Sequence, residues 1–308
     1  MNDITKRERF LAAARGEQVD RPPVGAWVHF GTAMADPSLA ATLHLAFLAS
    51  YDWDYLKVMH DFRLPTPQDG DLRERLEAFG TLGTEWASFD RQRAVLRAIR
   101  EAEPDVAIVE TLFSPFQTTV RSFGQDVVDI FEDDPDLANR VLGRVADLLA
   151  RYAAELPSLG VDGLFLALTG ASSDMSSFAL DASAHRTWIG PHERTVLDAA
   201  KGLVRIGHLH GNDLNLDLYA DHAFEVTSWS DVSSSPSIAE VLAQGRVPML
   251  GLDELASTYL AADDVHQQVL HARRAAGDRI IVAPNCTLHS DTNPEVFTAL
   301  RSSVEVAL

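Results

Sequence analysis

Short apolar runs alternate along this chain with longer amphipathic segments, and that alternation sets the first expectations. Eight runs read as strands, at 24–29, 55–59, 106–112, 163–168, 203–208, 224–228, 248–252 and 280–283. Most lack a polar face, as strands of a parallel sheet do when both sides are covered. Helical periodicity fills 136–155, 193–201, 238–244 and 264–276 between them. Near the amino terminus Thr5 and Glu8 form a capping-box pattern ahead of a helix over 9–15, which Gly16 ends. Asp20-Arg21-Pro22-Pro23 then turns the chain into the first expected strand. The repeated β-then-α order predicts an α/β fold, and eight strands is the number a closed (β/α)8 TIM-like barrel needs. No low-complexity linker interrupts the pattern, and the Ser-rich stretch 233–237 reads as a loop. A single domain over 1–308 is therefore expected, with a helical extension at about 1–20.

Composition narrows the partners. A hydrophobic content of 46% in 308 residues supports one large core. A net charge of −19 and a pI near 4.8 argue against nucleic acid and anionic membranes, which need a basic footprint. Cys286 is the sole cysteine, which excludes an intrachain disulfide and fits a reducing compartment. MNDITKRERF has no apolar signal region, and runs such as 163–168 are far shorter than the roughly 18 residues of a membrane span. A cytoplasmic location is expected.

The sharpest chemical signal is GLVRIGHLHGN, residues 202–212. Period-two alternation puts Val204, Ile206, His208 and His210 on one side of a buried strand, so two imidazoles at its mouth can face one ion. Functional groups of such barrels sit at the carboxyl ends of strands. Cys286, just past the last apolar run, meets that condition too. A His2Cys set with an open fourth position suits catalytic zinc. Acids near strand ends are Asp61, Glu110, Asp231, Asp253 and Glu254, available as a further ligand, an outer partner or an acid–base group. Asp253 and Glu254 are the preferred pair because they follow an apolar strand directly. His29 and His60 end strands, and His185 and His192 lie near Trp188 in a stretch that reads as a lid; none of these four is taken as a metal ligand.

Four segments carry a resemblance. RERFLAAARGEQVDRPPV, FEDDPDLANRVLGRVADLLARYAAELPSLGVDGLFL, HLHGN and IIVAPNCTLHSDTNPEVFTAL occur in an order that resembles the uroporphyrinogen decarboxylase superfamily across nearly the whole chain. The resemblance implies a TIM-like barrel with two chemistries. The decarboxylases are metal-free and bind tetrapyrrole carboxylates through an Arg-Gln-Ala-Gly-Arg segment after the first strand. This chain reads AWVHFGTAM there, and only Asp61 matches their central aspartate. The other branch comprises zinc-dependent methyltransferases that activate a thiol such as coenzyme M and take methyl from a corrinoid protein. Their ligands are the His and Cys of His-x-Cys plus a late cysteine. His208 and Cys286 match two of these, and His210 replaces the third. One thiolate instead of two leaves the zinc more positive, a weaker activator of thiolate nucleophilicity but a stronger Lewis acid.

The expected function is a zinc-dependent methyl or alkyl transferase. His208, His210 and Cys286 would hold the metal, Glu254 or Asp253 would tune it, and Asp61 would orient a small-molecule thiol or other nucleophile. Any corrinoid would arrive on a separate protein, because no Asp-x-His-x-x-Gly segment is present. The rivals are a metal-dependent lyase or hydrolase, a decarboxylase of a non-porphyrin substrate, and a metal-free binding protein. The acceptor, the donor and the assembly state, a homodimer included, stay open.

Overall fold

Seven of the apolar runs become strands of one parallel sheet: β1 (Tyr55–Val58), β2 (Ala107–Phe113), β3 (Gly163–Leu168), β4 (Val204–Leu209), β5 (Val226–Ser228), β6 (Val247–Leu252) and β7 (Ile281–Pro284), paired in sequence order. This is a computed structural model, and it describes residues 4–32, 35–60, 64–79, 87–171, 180–233, 235–306 and 308. Tyr55, Ala107, Val109, Phe165, Ile206, Val226, Met249 and Ile281 pack together on the inner side of the sheet. Ile108, Leu112, Leu164, Leu166, Leu209, Leu250 and Val282 pack outward with the helices. Both faces are covered, which is why these strands read as continuous apolar runs.

The α/β class holds, but among the described residues the sheet has seven strands, and the run 24–29 is not an eighth. The stretch 24–29 makes only isolated bridges, Val24 with Val282 and Val28 with Leu288. It still lies between β7 and β1: Val282 N donates to Pro23 O at 2.8 Å, and Asp54 N donates to Val24 O at 2.9 Å. Two local features explain the interruption. Pro22 and Pro23 carry no N–H for a ladder. Gly25 lies so close to the Tyr55 ring that a Cβ there would come within 2.7 Å of it.

The amino-terminal motif is a clamp. Thr5 and Glu8 form the expected capping box on the helix Lys6–Ala14, and Gly16 follows with φ +72°. Arg9 Nη1 (2.9 Å), Arg21 Nη1 (2.6 Å), Arg21 Nη2 (3.0 Å) and Val24 N (2.9 Å) converge on the fully buried Asp54 carboxylate. Arg9 also reaches Asp20 at 2.7 Å. Two guanidinium groups and a backbone N–H thus compensate a buried charge and pin the start of β1.

Downstream helices fall close to their expected places, at Pro135–Glu155, Gly190–Ala199, Ile238–Ala243 and Ala262–Ala276. The first begins with Pro135, a residue earlier than periodicity implied, because Asp134 accepts Leu137 N at 2.9 Å as its N-cap. Among the described residues no helix is long and apolar enough to cross a membrane.

Candidate metal centre

His208 stands near the end of β4, and the parallel register sets it beside Ser228 of β5. Ser228 Oγ lies 3.1 Å from His208 Nδ1, and both residues are buried. The imidazole stacks on Phe165 of β3, with centroids 5.1 Å apart and planes at 25°. His210, two residues on, shares that side of the chain and is exposed; its N–H is fixed to Leu168 O at 3.0 Å. Cys286 follows β7 and is half-buried. Its position is set by Asn285, which accepts Gly251 N on Oδ1 and donates Nδ2 to Asp231 Oδ1, both at 3.0 Å. That side chain ties the end of β7 to β6 and to the turn after β5.

These three elements bring Cys286 Sγ to 3.5 Å from His208 Nε2 and 4.0 Å from His210 Nδ1. All three donor atoms lie within 4.8 Å of one another. Tetrahedral zinc with ordinary Zn–N and Zn–S bonds has an N···S edge of about 3.6 Å, close to the two N···S separations found here. Nitrogen and sulfur donors also match zinc in softness. Protonation favours that use at His208 and opposes it at Cys286. Burial first, then the neighbouring His210 and Lys57, holds the His208 pKa well below the usual imidazole range, so the ring is in its neutral, ligating form. Burial pushes the Cys286 thiol up, with the Glu254 charge adding to it and Lys57 opposing.

The donors open onto a pocket of about 140 Å³. Trp27, Phe113 and Phe165 provide aromatic wall, and Lys57, Gln117 and Thr169 provide polar groups.

The family model described as uroporphyrinogen decarboxylase (URO-D) matches residues 87–306. The chain belongs to the uroporphyrinogen decarboxylase family. No curated protein matches it. Among solved structures, a methyltransferase from Methanosarcina mazei is 20% identical over 98% of this chain and 99% of its own, with a TM-score of 0.81. A β-mannanase from the blue mussel Mytilus edulis (12% identity, 92% and 91% of the two chains, TM-score 0.54) and a GH10 endoxylanase from a sugarcane soil metagenome (10%, 97% and 99%, TM-score 0.51) are also similar. At these identities the likeness is one of fold, a TIM-barrel-like one.

This URO-D family chain gathers some of its expected site residues and separates others. Glu254 sits beside the centre: its charge acts on Cys286, Ser230 Oγ donates to its Oε2 at 3.2 Å, and burial raises its pKa. Asp253 turns its Oδ1 to the N–H groups of Leu255 and Ala256, at 2.9 and 3.2 Å, and so caps its own loop. Asp231 holds Asn285, and burial raises its pKa as well. Asp61 lies outside the described residues. Glu110 faces the helices, not the pocket, because β2 turns Val109, Thr111 and Phe113 the other way; there it accepts from His60 Nδ1 (2.9 Å), Gln92 Nε2 (2.8 Å) and Tyr152 OH (3.1 Å). His60 is engaged with it, while His29 lines the pocket. The lid expected around His185 and His192 is not what forms. His185 is buried with His222 around Glu193 (Nε2 to Oε2 3.5 and 3.0 Å), and His192 is bonded to Asn139.

Lys57, Ser228, Asn285 and Gln117 escaped the sequence reading. Only Lys57 left a local signal, a single charge between apolar neighbours in YLKVM at the parity of Tyr55 and Met59.

Proposed function

We propose that this URO-D family chain is a zinc-dependent methyl or alkyl transferase acting on a small thiol. The observation that carries the reading is the convergence of His208 Nε2, His210 Nδ1 and Cys286 Sγ at the mouth of one pocket. The fold shared over nearly its full length with a methyltransferase supports it. Zinc held there would supply Lewis acidity at its open position and lower the pKa of a substrate thiol.

The protein's own groups prepare the rest. Ser228 pairs with Nδ1 and so orients the His208 ring, and Asn285 fixes the strand end that carries Cys286. Glu254, whose charge acts on Cys286 and whose pKa burial raises, is the proton acceptor for the incoming thiol. The sulfur then forms a bond to the alkyl carbon, and the donor leaves with the electron pair of the broken bond. That donor is a separate corrinoid protein or a small molecule. Asp253 shapes the loop that presents Glu254, and Asp61 orients substrate. A reducing, cytoplasmic setting belongs to the same proposal, since Cys286 must remain a thiol.

The test is transfer from methylcobalamin to a panel of small thiols, followed by mass spectrometry of the S-methyl product. Cys286→Ala, with its circular dichroism unchanged, is expected to lose the product by at least about a hundredfold; unchanged turnover overturns the reading. One observation favours a second chemistry. Imidazole in place of a second thiolate leaves the ion more positive, which suits a lyase or hydrolase, and product formed without any thiol acceptor would select it.

A further inference from the structure

A second cavity lies at the end of β7, apart from the metal centre. Asn285 lines it, whereas the next residue, Cys286, lines the pocket of the metal donors. Its volume is about 430 Å³, in the range of small-molecule sites. Two small residues leave the room: a Cβ on Gly251 of β6 would lie 3.9 Å from that of Ala272 on the helix Ala262–Ala276. Asp231, Asp253 and three polar side chains of that helix, Gln267, Gln268 and His271, line the space around them.

The lining has the charge of an amine site. No lysine or arginine is among the described residues that line it. Asp231 and Asp253 make no ion pair among the described residues. Burial raises the Asp231 pKa and Asp253 adds to it, against the Asn285 bond and the His271 imidazole. Two carboxylates thus share the cavity without a fixed counter-ion. They do not cage a bare metal: among the described residues only His208, His210 and Cys286 bring three such donors within 4.8 Å of one another. The cation that fits is therefore polyatomic. Two amides supply donors beside the acids. Asn285, 1% exposed, gives one Nδ2 hydrogen to Asp231 Oδ1 at 3.0 Å and has no acceptor for the second among the described residues. Gln268 Oε1 accepts Asp253 N at 2.9 Å, which leaves its Nε2 amino group as the donor it presents. A ligand matched to this lining carries charged N–H donors at one end and an oxygen acceptor at the other.

We propose that this cavity binds a small aliphatic amino alcohol, its ammonium at Asp231 and Asp253 and its hydroxyl at the Asn285 and Gln268 amides. The site stands on the cavity and its lining, independently of the metal chemistry proposed above. Calorimetry on the full chain in an amine-free buffer compares 4-amino-1-butanol with 1,4-butanediol, which lacks the charge, and with butylamine, which lacks the hydroxyl. The amino alcohol is expected to bind about tenfold tighter than the diol, or more, and about threefold tighter than butylamine. Asp253→Asn, which keeps the Oδ1 acceptor that caps its loop, and Asp231→Asn each remove most of the preference over the diol. Gln267→Lys, at an exposed position of the helix, sets a fixed ammonium at the cavity and weakens the amino alcohol severalfold. Equal affinities for the amino alcohol and either control, or a preference unchanged in Asp253→Asn, overturn the proposal. If the aspartate variants do not fold, an affinity unchanged in Gln267→Lys overturns it instead. Binding is expected to be the same with and without added zinc; binding that requires zinc places the amine at the metal centre and overturns the cavity as its site.

Discussion

Removing one hydroxyl from β5 asks whether the His208 ring is held for a metal. Ser228 is fully buried, pairs with His208 across the parallel register and lies 3.1 Å from Nδ1. In Ser228→Ala the ring loses the contact that orients it, and Nδ1 is left unpaired where water does not reach. An unpaired buried polar group costs about 1–3 kcal/mol. Loss of an outer partner of a ligating histidine lowers metal affinity by about 10–100-fold, which is about 1.4–2.8 kcal/mol, so the two estimates agree. The stacking on Phe165 survives the substitution and limits how far the ring can turn. A fall of about tenfold in zinc affinity is therefore expected. Competition against a chromophoric chelator near neutral pH measures it. Thr227→Ala is the control, since strand alternation turns that buried side chain to the other side of β5. Zinc affinity in Ser228→Ala within about twofold of wild type, or an equal fall in the control, would refute the reasoning.

Zinc affinity should also depend on pH with a particular slope. His208 is already neutral because burial depresses its pKa, whereas Cys286, whose thiol burial pushes up, must release its proton to ligate. Affinity then rises about tenfold per pH unit through the mildly alkaline range and levels off once the thiol ionises unaided; a slope of zero or of two there contradicts the assignment. Asp54→Ala strips the buried partner from Arg9 and Arg21 and is expected to cost about 3–5 kcal/mol in urea unfolding, with a loss below about 1 kcal/mol counting against the clamp. Gly207→Ala would place a methyl 2.8 Å from the Phe224 ring, so a loss of about 1–3 kcal/mol is expected; an unchanged thermal midpoint would show that Phe224 can yield.

Much of this was legible because the signals are local. Runs such as 163–168 are apolar on both faces of the sheet and announce themselves, and Thr5 with Glu8 marks a helix start within four residues. His208 and His210 follow from alternation alone, and Cys286 from its place after the last strand. What failed depends on single residues within a run or on neighbours distant in sequence. The stretch 24–29 is as apolar as a strand, yet Pro22, Pro23 and the Tyr55 ring against Gly25 limit it to bridges. Ser228 becomes the partner of His208 only through the register between β4 and β5. Glu110 looked like a site acid until its parity with Ile108 and Leu112 placed it among the helices, where His60, Gln92 and Tyr152 satisfy it. His185 sits in a polar stretch of sequence, but packing buries it against Glu193 and Tyr219.

The most direct test of the central claim is metal content by mass spectrometry of protein purified without chelators, with His210→Ala and Cys286→Ser beside the wild type. About one zinc per chain in the wild type, lost in both variants while the fold persists, is the predicted result. A zinc-supplemented wild type that binds no metal, or full stoichiometry retained in both variants, would contradict it.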